Sequence, residues 1–73
     1  MKPSENEVRK CLRHVVNNSH EKSLNYAVNY ARAGLGMIGN SLRVQCLYVL
    51  NNMVYWRGDL AKEVRKTLKD FTK

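Results

Sequence analysis

The sequence predicts an all-α fold: a compact bundle of three to four short helices forming a single domain, residues 1–73, with the third helix central. Three observations carry this. Apolar residues recur at spacings of three and four, and strand-like alternation never persists. Start and stop signals at Ser4-x-x-Glu7, Asn17-Asn18-Ser19, Gly34 and Gly58-Asp59 cut the chain into four helical segments. A length of 73 residues leaves room for one small domain and excludes a doubly wound sheet or a two-domain cleft.

The first helix is expected over 5–17. Ser4-x-x-Glu7 is a capping box, in which the serine hydroxyl takes up an orphan N–H of the first turn. Val8, Leu12 and Val15 form its apolar stripe, flanked by Cys11 and Val16, and the Asn-Asn-Ser run ends it because these side chains compete for backbone hydrogen bonds. The second helix is expected over 20–33, capped by Ser19 or Ser23. Its four-residue echo, Asn25-Tyr26-Ala27-Val28 then Asn29-Tyr30-Ala31-Arg32, puts like residues nearly in line, with Leu24, Ala27, Val28 and Ala31 inward and Tyr26 and Tyr30 paired beside them. Gly34 stops it. Leu35, Met37 and Ile38 then tuck into the core from a compact glycine-rich loop.

The third helix is expected over 41–56, capped by Asn40 or Ser41. At 100° per residue, Leu42, Cys46, Val49, Leu50, Met53 and Trp56 share one wide face, extended by Leu47 and Val54, while Val44, Tyr48 and Tyr55 fall roughly opposite. The helix is thus apolar nearly all round, which makes it the central one or gives it a second face for a partner. The fourth helix is expected over 59–71, capped by Asp59. Leu60, Val64, Leu68 and Phe71 form its core stripe with Ala61, and Lys62, Lys66, Lys69 and Lys73 follow one line on the other side, with Arg65 beside them.

Composition narrows the function. A hydrophobic fraction of 44% is too high for a disordered tail, and no apolar run is long enough for a membrane span. The opening residues lack the apolar core of a signal peptide. Cys11 and Cys46 are too few for a disulfide scaffold and read as reduced thiols in a cytoplasmic protein, a single Cys11–Cys46 bridge being the alternative. Thirteen Lys+Arg against six Asp+Glu give a net charge of +7, which favours a polyanionic partner. Residues 23–56 hold Arg32 and Arg43 and no acid; residues 57–73 hold six bases and three acids.

Several motifs dissolve on inspection. Gly34-x-Gly36-x-x-Gly39 matches a dinucleotide fingerprint literally, but that chemistry needs a strand before it and a βαβ unit around it. His14 and His20 have no metal-ligand spacing with the cysteines, Ser19-x-x-Lys22 lacks its catalytic partners, and Arg57-Gly58-Asp59 reads as a helix stop followed by a helix start. No enzymatic role and no cofactor are expected. The segment 50–71 compares in part with a helix-turn-helix, two helices about a turn glycine, Gly58, although Arg57 and Asp59 stand where such turns carry apolar residues. Its basic face is therefore the solvated side of a plain αα-hairpin, a nucleic-acid-contacting surface, or a surface for an acidic protein or membrane; lysine suits phosphate contact without sequence reading.

The stretch Val44 to Asn52, then Tyr55 to Arg65, with Leu68-Lys69 after it, resembles small helical phage and prophage proteins over roughly the last third of the chain. The resemblance implies a compact bacterial accessory protein and lends no catalytic residues. The function expected from the whole is a small non-enzymatic accessory protein contacting DNA or RNA through Arg57, Lys62, Arg65, Lys66, Lys69 and Lys73. The alternative is a protein-interaction module, a host-protein binder or a homodimer, using Val44, Tyr48 and Tyr55.

Overall fold

The computed structural model describes residues 2–73, the side chain of Asn25 excepted. Four helices follow one another: α1 (Glu5–Asn17), α2 (Asn25–Gly34), α3 (Gly39–Asn51) and α4 (Asp59–Thr72), with no strand among the described residues. They close a ring: α1 packs on α2, α2 on α3, α3 on α4, and α4 back on α1. A Cα radius of gyration of 10.6 Å sits close to the ~11 Å expected for a well-packed domain of this length.

The ring is held by the stripes that the periodicity marks out. Val8, Leu12 and Val15 of α1, Ala27 and Ala31 of α2, Leu42, Cys46 and Val49 of α3, and Val64 and Leu68 of α4 are all fully buried, with Leu24, Met53 and Trp56 contributed from the turns. Burying each Leu or Val contributes about 1.5–3 kcal/mol, so this shared core outweighs any single surface contact. No helix lies on the axis of the ring. α3 stands between α2 and α4 and buries one face; Leu47, Tyr48 and Asn51 on its other side are exposed, so it is not wrapped by its neighbours.

α1 begins and ends where expected. The Ser4 Oγ accepts from the Glu7 N–H at 3.2 Å, and its own hydroxyl donates to the Glu7 carboxylate at 3.4 Å. Asn18 closes the far end, its amide donating to the His14 carbonyl at 2.8 Å. α2 is shorter than expected, starting at Asn25 after Leu24 with no side-chain cap. The run His20-Glu21-Lys22-Ser23 carries no apolar side chain to hold a helical turn on the core, and it forms successive turns instead. Gly34 is the last residue of α2, and its missing side chain serves packing: a Cβ there would lie 2.9 Å from the Leu12 Cδ1 and 3.3 Å from the Gln45 Cγ. The Gln45 amide meanwhile donates to the Tyr30 carbonyl at 2.9 Å, tying α3 to α2.

α3 starts earlier and ends sooner than expected. Neither Asn40 nor Ser41 caps it; the carboxylate of Glu5, from α1, accepts the Gly39 N–H at 2.9 Å. The same carboxylate pairs with Arg9 at 3.0 Å, and Arg9 donates to the Met37 carbonyl at 2.9 Å, so two residues of α1 pin the loop that leads into α3. Leu35 and Met37 of that loop are partly buried as expected, but Ile38 is 71% exposed. α3 stops at Asn51 because the Asn52 amide turns back to the Tyr48 carbonyl at 2.8 Å. Met53 and Trp56 therefore reach the core from the 52–58 turn and not from a helix. Gly58, at φ +118°, precedes α4 in a conformation that side-chain-bearing residues avoid, and Asp59 lies in the first turn of the helix without capping it.

Candidate nucleic-acid interface

α4 is strongly amphipathic. Its apolar stripe of Ala61, Val64, Leu68 and Phe71 faces the core. On the outer side, Lys62, Lys66, Lys69 and Lys73 occupy one narrow arc and are all exposed. At 1.5 Å per residue the line from Lys62 to Lys73 extends about 16 Å, on the order of five phosphate steps of a nucleic-acid strand. Arg57 is exposed in the preceding turn.

The acids Glu63 and Asp70 run along one edge of this stripe. Asp70 pairs with Lys66 at 3.7 Å and with Lys73 at 3.4 Å. Both lysines are about four-fifths exposed, and ion pairs of that kind are worth little, so a phosphate can displace either pairing at small cost. Lys62 and Lys69 make no salt bridge among the described residues.

Arg65 stands apart from the other five residues expected at this surface. Its guanidinium is half-buried, and Nη2 donates to the carbonyls of Trp56 at 2.7 Å and Met53 at 3.2 Å. It closes the 52–58 turn against α4. The sequence offers no signal of this, since Arg65 lies beside a lysine line and its two acceptors are backbone atoms.

The three residues expected at a partner surface are placed unevenly. Val44 is half-buried, whereas Tyr48 and Tyr55 are exposed. Their neighbours enlarge the surface beyond what the α3 periodicity indicates. The Tyr48 ring stacks on Tyr30 with centroids 5.5 Å apart, and Tyr55 shares a shallow groove of about 230 Å³ with Tyr26 and Val54. All four tyrosines of the chain therefore lie along the α2–α3 side of the ring and the turn that follows it.

The described residues offer little to chemistry. No three His, Cys, Asp or Glu side chains gather as a metal site among them. Both cysteines are free and buried, which sets aside the Cys11–Cys46 bridge. Burial pushes the Cys11 thiol up, against a smaller lowering by its hydrogen bond with Thr67; burial, and to a lesser degree the neighbouring Cys11, pushes Cys46 up to about 12. Such thiols stay protonated near neutrality and are poor nucleophiles. The small cleft between α1 and α4 above Cys11 holds about 170 Å³ and is edged by Glu7, Lys10, His14 and Glu63. No described helix is long and apolar enough to cross a membrane. Compared with protein-family models, with curated proteins and with solved structures, the chain matches none.

Proposed function

We propose that this protein is a small non-enzymatic accessory protein that binds DNA or RNA electrostatically, without reading sequence, through Arg57, Lys62, Lys66, Lys69 and Lys73. One observation carries the reading: four lysines stand exposed in a single line on α4, held by nothing stronger than two long surface pairs to Asp70. The net charge of +7 supports it, because the whole molecule adds attraction towards a polyanion. Lysine ammonium groups on flexible stems suit phosphate oxygens and lack the planar fork that reads guanine or adenine edges. Arg65 is left out of the contact set, since it is half-buried and its Nη2 is already engaged by the carbonyls of Met53 and Trp56. A cytoplasmic setting, supported by two unpaired cysteines, and a phage-borne origin, supported by the C-terminal sequence resemblance, belong to the same proposal.

The reading is tested by measuring affinity for unrelated DNA and RNA duplexes across a salt series. Five phosphate contacts, from Arg57 and the four lysines, imply a slope of log K against log salt of about −4.5 on duplex DNA, and each Lys→Ala change on the stripe flattens it by about 0.9. Equal affinity for unrelated sequences is expected. Binding that is absent at low salt, or that salt does not weaken, overturns the proposal.

A further inference from the structure

We infer that the tyrosine-bearing side of α2 and α3 is where a second copy of this chain docks, forming a two-fold symmetric dimer. The inference is independent of the nucleic-acid reading and uses a different surface. Its starting point is an uneven distribution of charge. Of the 19 formally charged residues in the chain, α2 and α3 contain only Arg32 and Arg43. Neither faces outward with the tyrosines: Arg32 lines a hollow beside His20 and Val28, and Arg43 lines another beside Lys2 and Phe71. The face itself consists of Tyr26, Tyr30, Tyr48, Tyr55, Val44 and Val54, edged by asparagines, and Lys22 is the one charged group along its groove.

Two features favour a second copy over other occupants. First, each molecule carries +7, so two copies repel wherever charged faces meet, and on this side Lys22 is the one cation along the groove that each copy brings to the contact. A polyanion gains little from a face whose groove carries Lys22 alone. Second, tyrosine hydroxyls and asparagine amides each donate and accept hydrogen bonds, so a face built from them is complementary to itself. Two-fold contact requires that property, because the same patch meets its own image.

The area is adequate. As whole residues, Tyr26, Tyr30, Tyr48 and Tyr55 are 64, 38, 48 and 77% exposed. At about 200 Å² per tyrosine, they present on the order of 450 Å² per copy. Two copies would bury about 900 Å² with the four tyrosines fully covered, and the valines and asparagines carry the total past the ~1,000 Å² that a specific interface needs. A chain of this size also gains most from association, since its own core is small.

Sedimentation equilibrium of the nuclease-treated full chain, from about 5 μM to 1 mM in moderate salt, tests the inference. The expected result is a concentration-dependent rise from 8.5 kDa towards twice that mass, strengthening as salt screens the like charges. Nucleic-acid affinity moves the other way with salt, so the two proposals fail separately. Tyr26→Lys and Tyr55→Lys, both at well-exposed positions, are expected to weaken association at least tenfold with unchanged helical content by circular dichroism. Ile38→Lys alters an exposed apolar residue outside the face and is expected to leave association as it was. A chain that stays monomeric throughout, a dimer that survives both tyrosine changes, or a dimer lost equally on Ile38→Lys overturns the inference.

Discussion

The α1–α4 side of the ring and the α2–α3 side are built on opposite plans. Residues 1–17 and 59–73 carry 14 of the 19 formal charges, and their helices show one clean apolar stripe against a charged remainder. α2 and α3 carry two charges and spread apolar, aromatic and amide side chains round most of their circumference. On the first side, charge tells each helix which way to face. On the second, the buried face is selected only by what the neighbouring helices offer, and what is left over remains as an uncharged surface.

Mutations in the core ask whether the two sides nevertheless fold as one unit. Leu12 and Leu42 are both fully buried, one on each side. Leu12→Ala and Leu42→Ala are each expected to cost about 3 kcal/mol in urea unfolding, with one transition for all probes. Separate transitions for the two sides would break the comparison into two independently stable pieces. Next in size is Arg65→Ala, expected to cost about 2 kcal/mol because two carbonyls lose a charged donor, whereas Lys69→Ala stays within about 0.5 kcal/mol. Equal effects from the two would return Arg65 to the solvated stripe.

Glu5→Ala probes the link across the ring, since it removes the acceptor for the Gly39 N–H and the partner of Arg9. A loss of about 1 kcal/mol is expected, appearing as faster amide exchange in the first turn of α3 as well as in α1. The smallest effect at neutral pH is that of Cys46 ionisation, which contributes nothing there. Its thiol is protonated in both folded and unfolded chains below its ordinary value of 9.0, and the folded value lies near 12. Between these limits the unfolded chain gives up a proton that the folded chain keeps, so stability declines by about 1.4 kcal/mol per pH unit from this group. Denaturation curves from pH 8 to 11 should fall less steeply for Cys46→Ala than for the parent.

Legibility in the sequence follows the same division. The bounds of α1 and α4 can be read to within a residue, because local signals such as Ser4 with Glu7, and the Leu60–Phe71 stripe, coincide with the charge pattern. The start of α2 and the end of α3 are each misplaced by five residues, since apolar residues at Leu24, Met53 and Trp56 continue a helical spacing that the backbone does not follow there. Contacts between distant residues are invisible to periodicity. Glu5 reaches Gly39 across 34 positions, and Arg65 serves carbonyls that have no side-chain signature. The lysine line of α4 is legible as geometry, whereas Tyr26 and Tyr30 join Tyr48 and Tyr55 only once α2 lies beside α3.

The grip of Arg65 on Met53 and Trp56 has a consequence for biosynthesis. A nascent chain that has reached residue 58 contains three of its four helices, yet the guanidinium that secures the last turn has still to be made, as has the strip of α4 that seals α1 to α3. Folding during translation therefore awaits the 14-residue α4, and ribosome-stalled intermediates ending before it should remain open to protease.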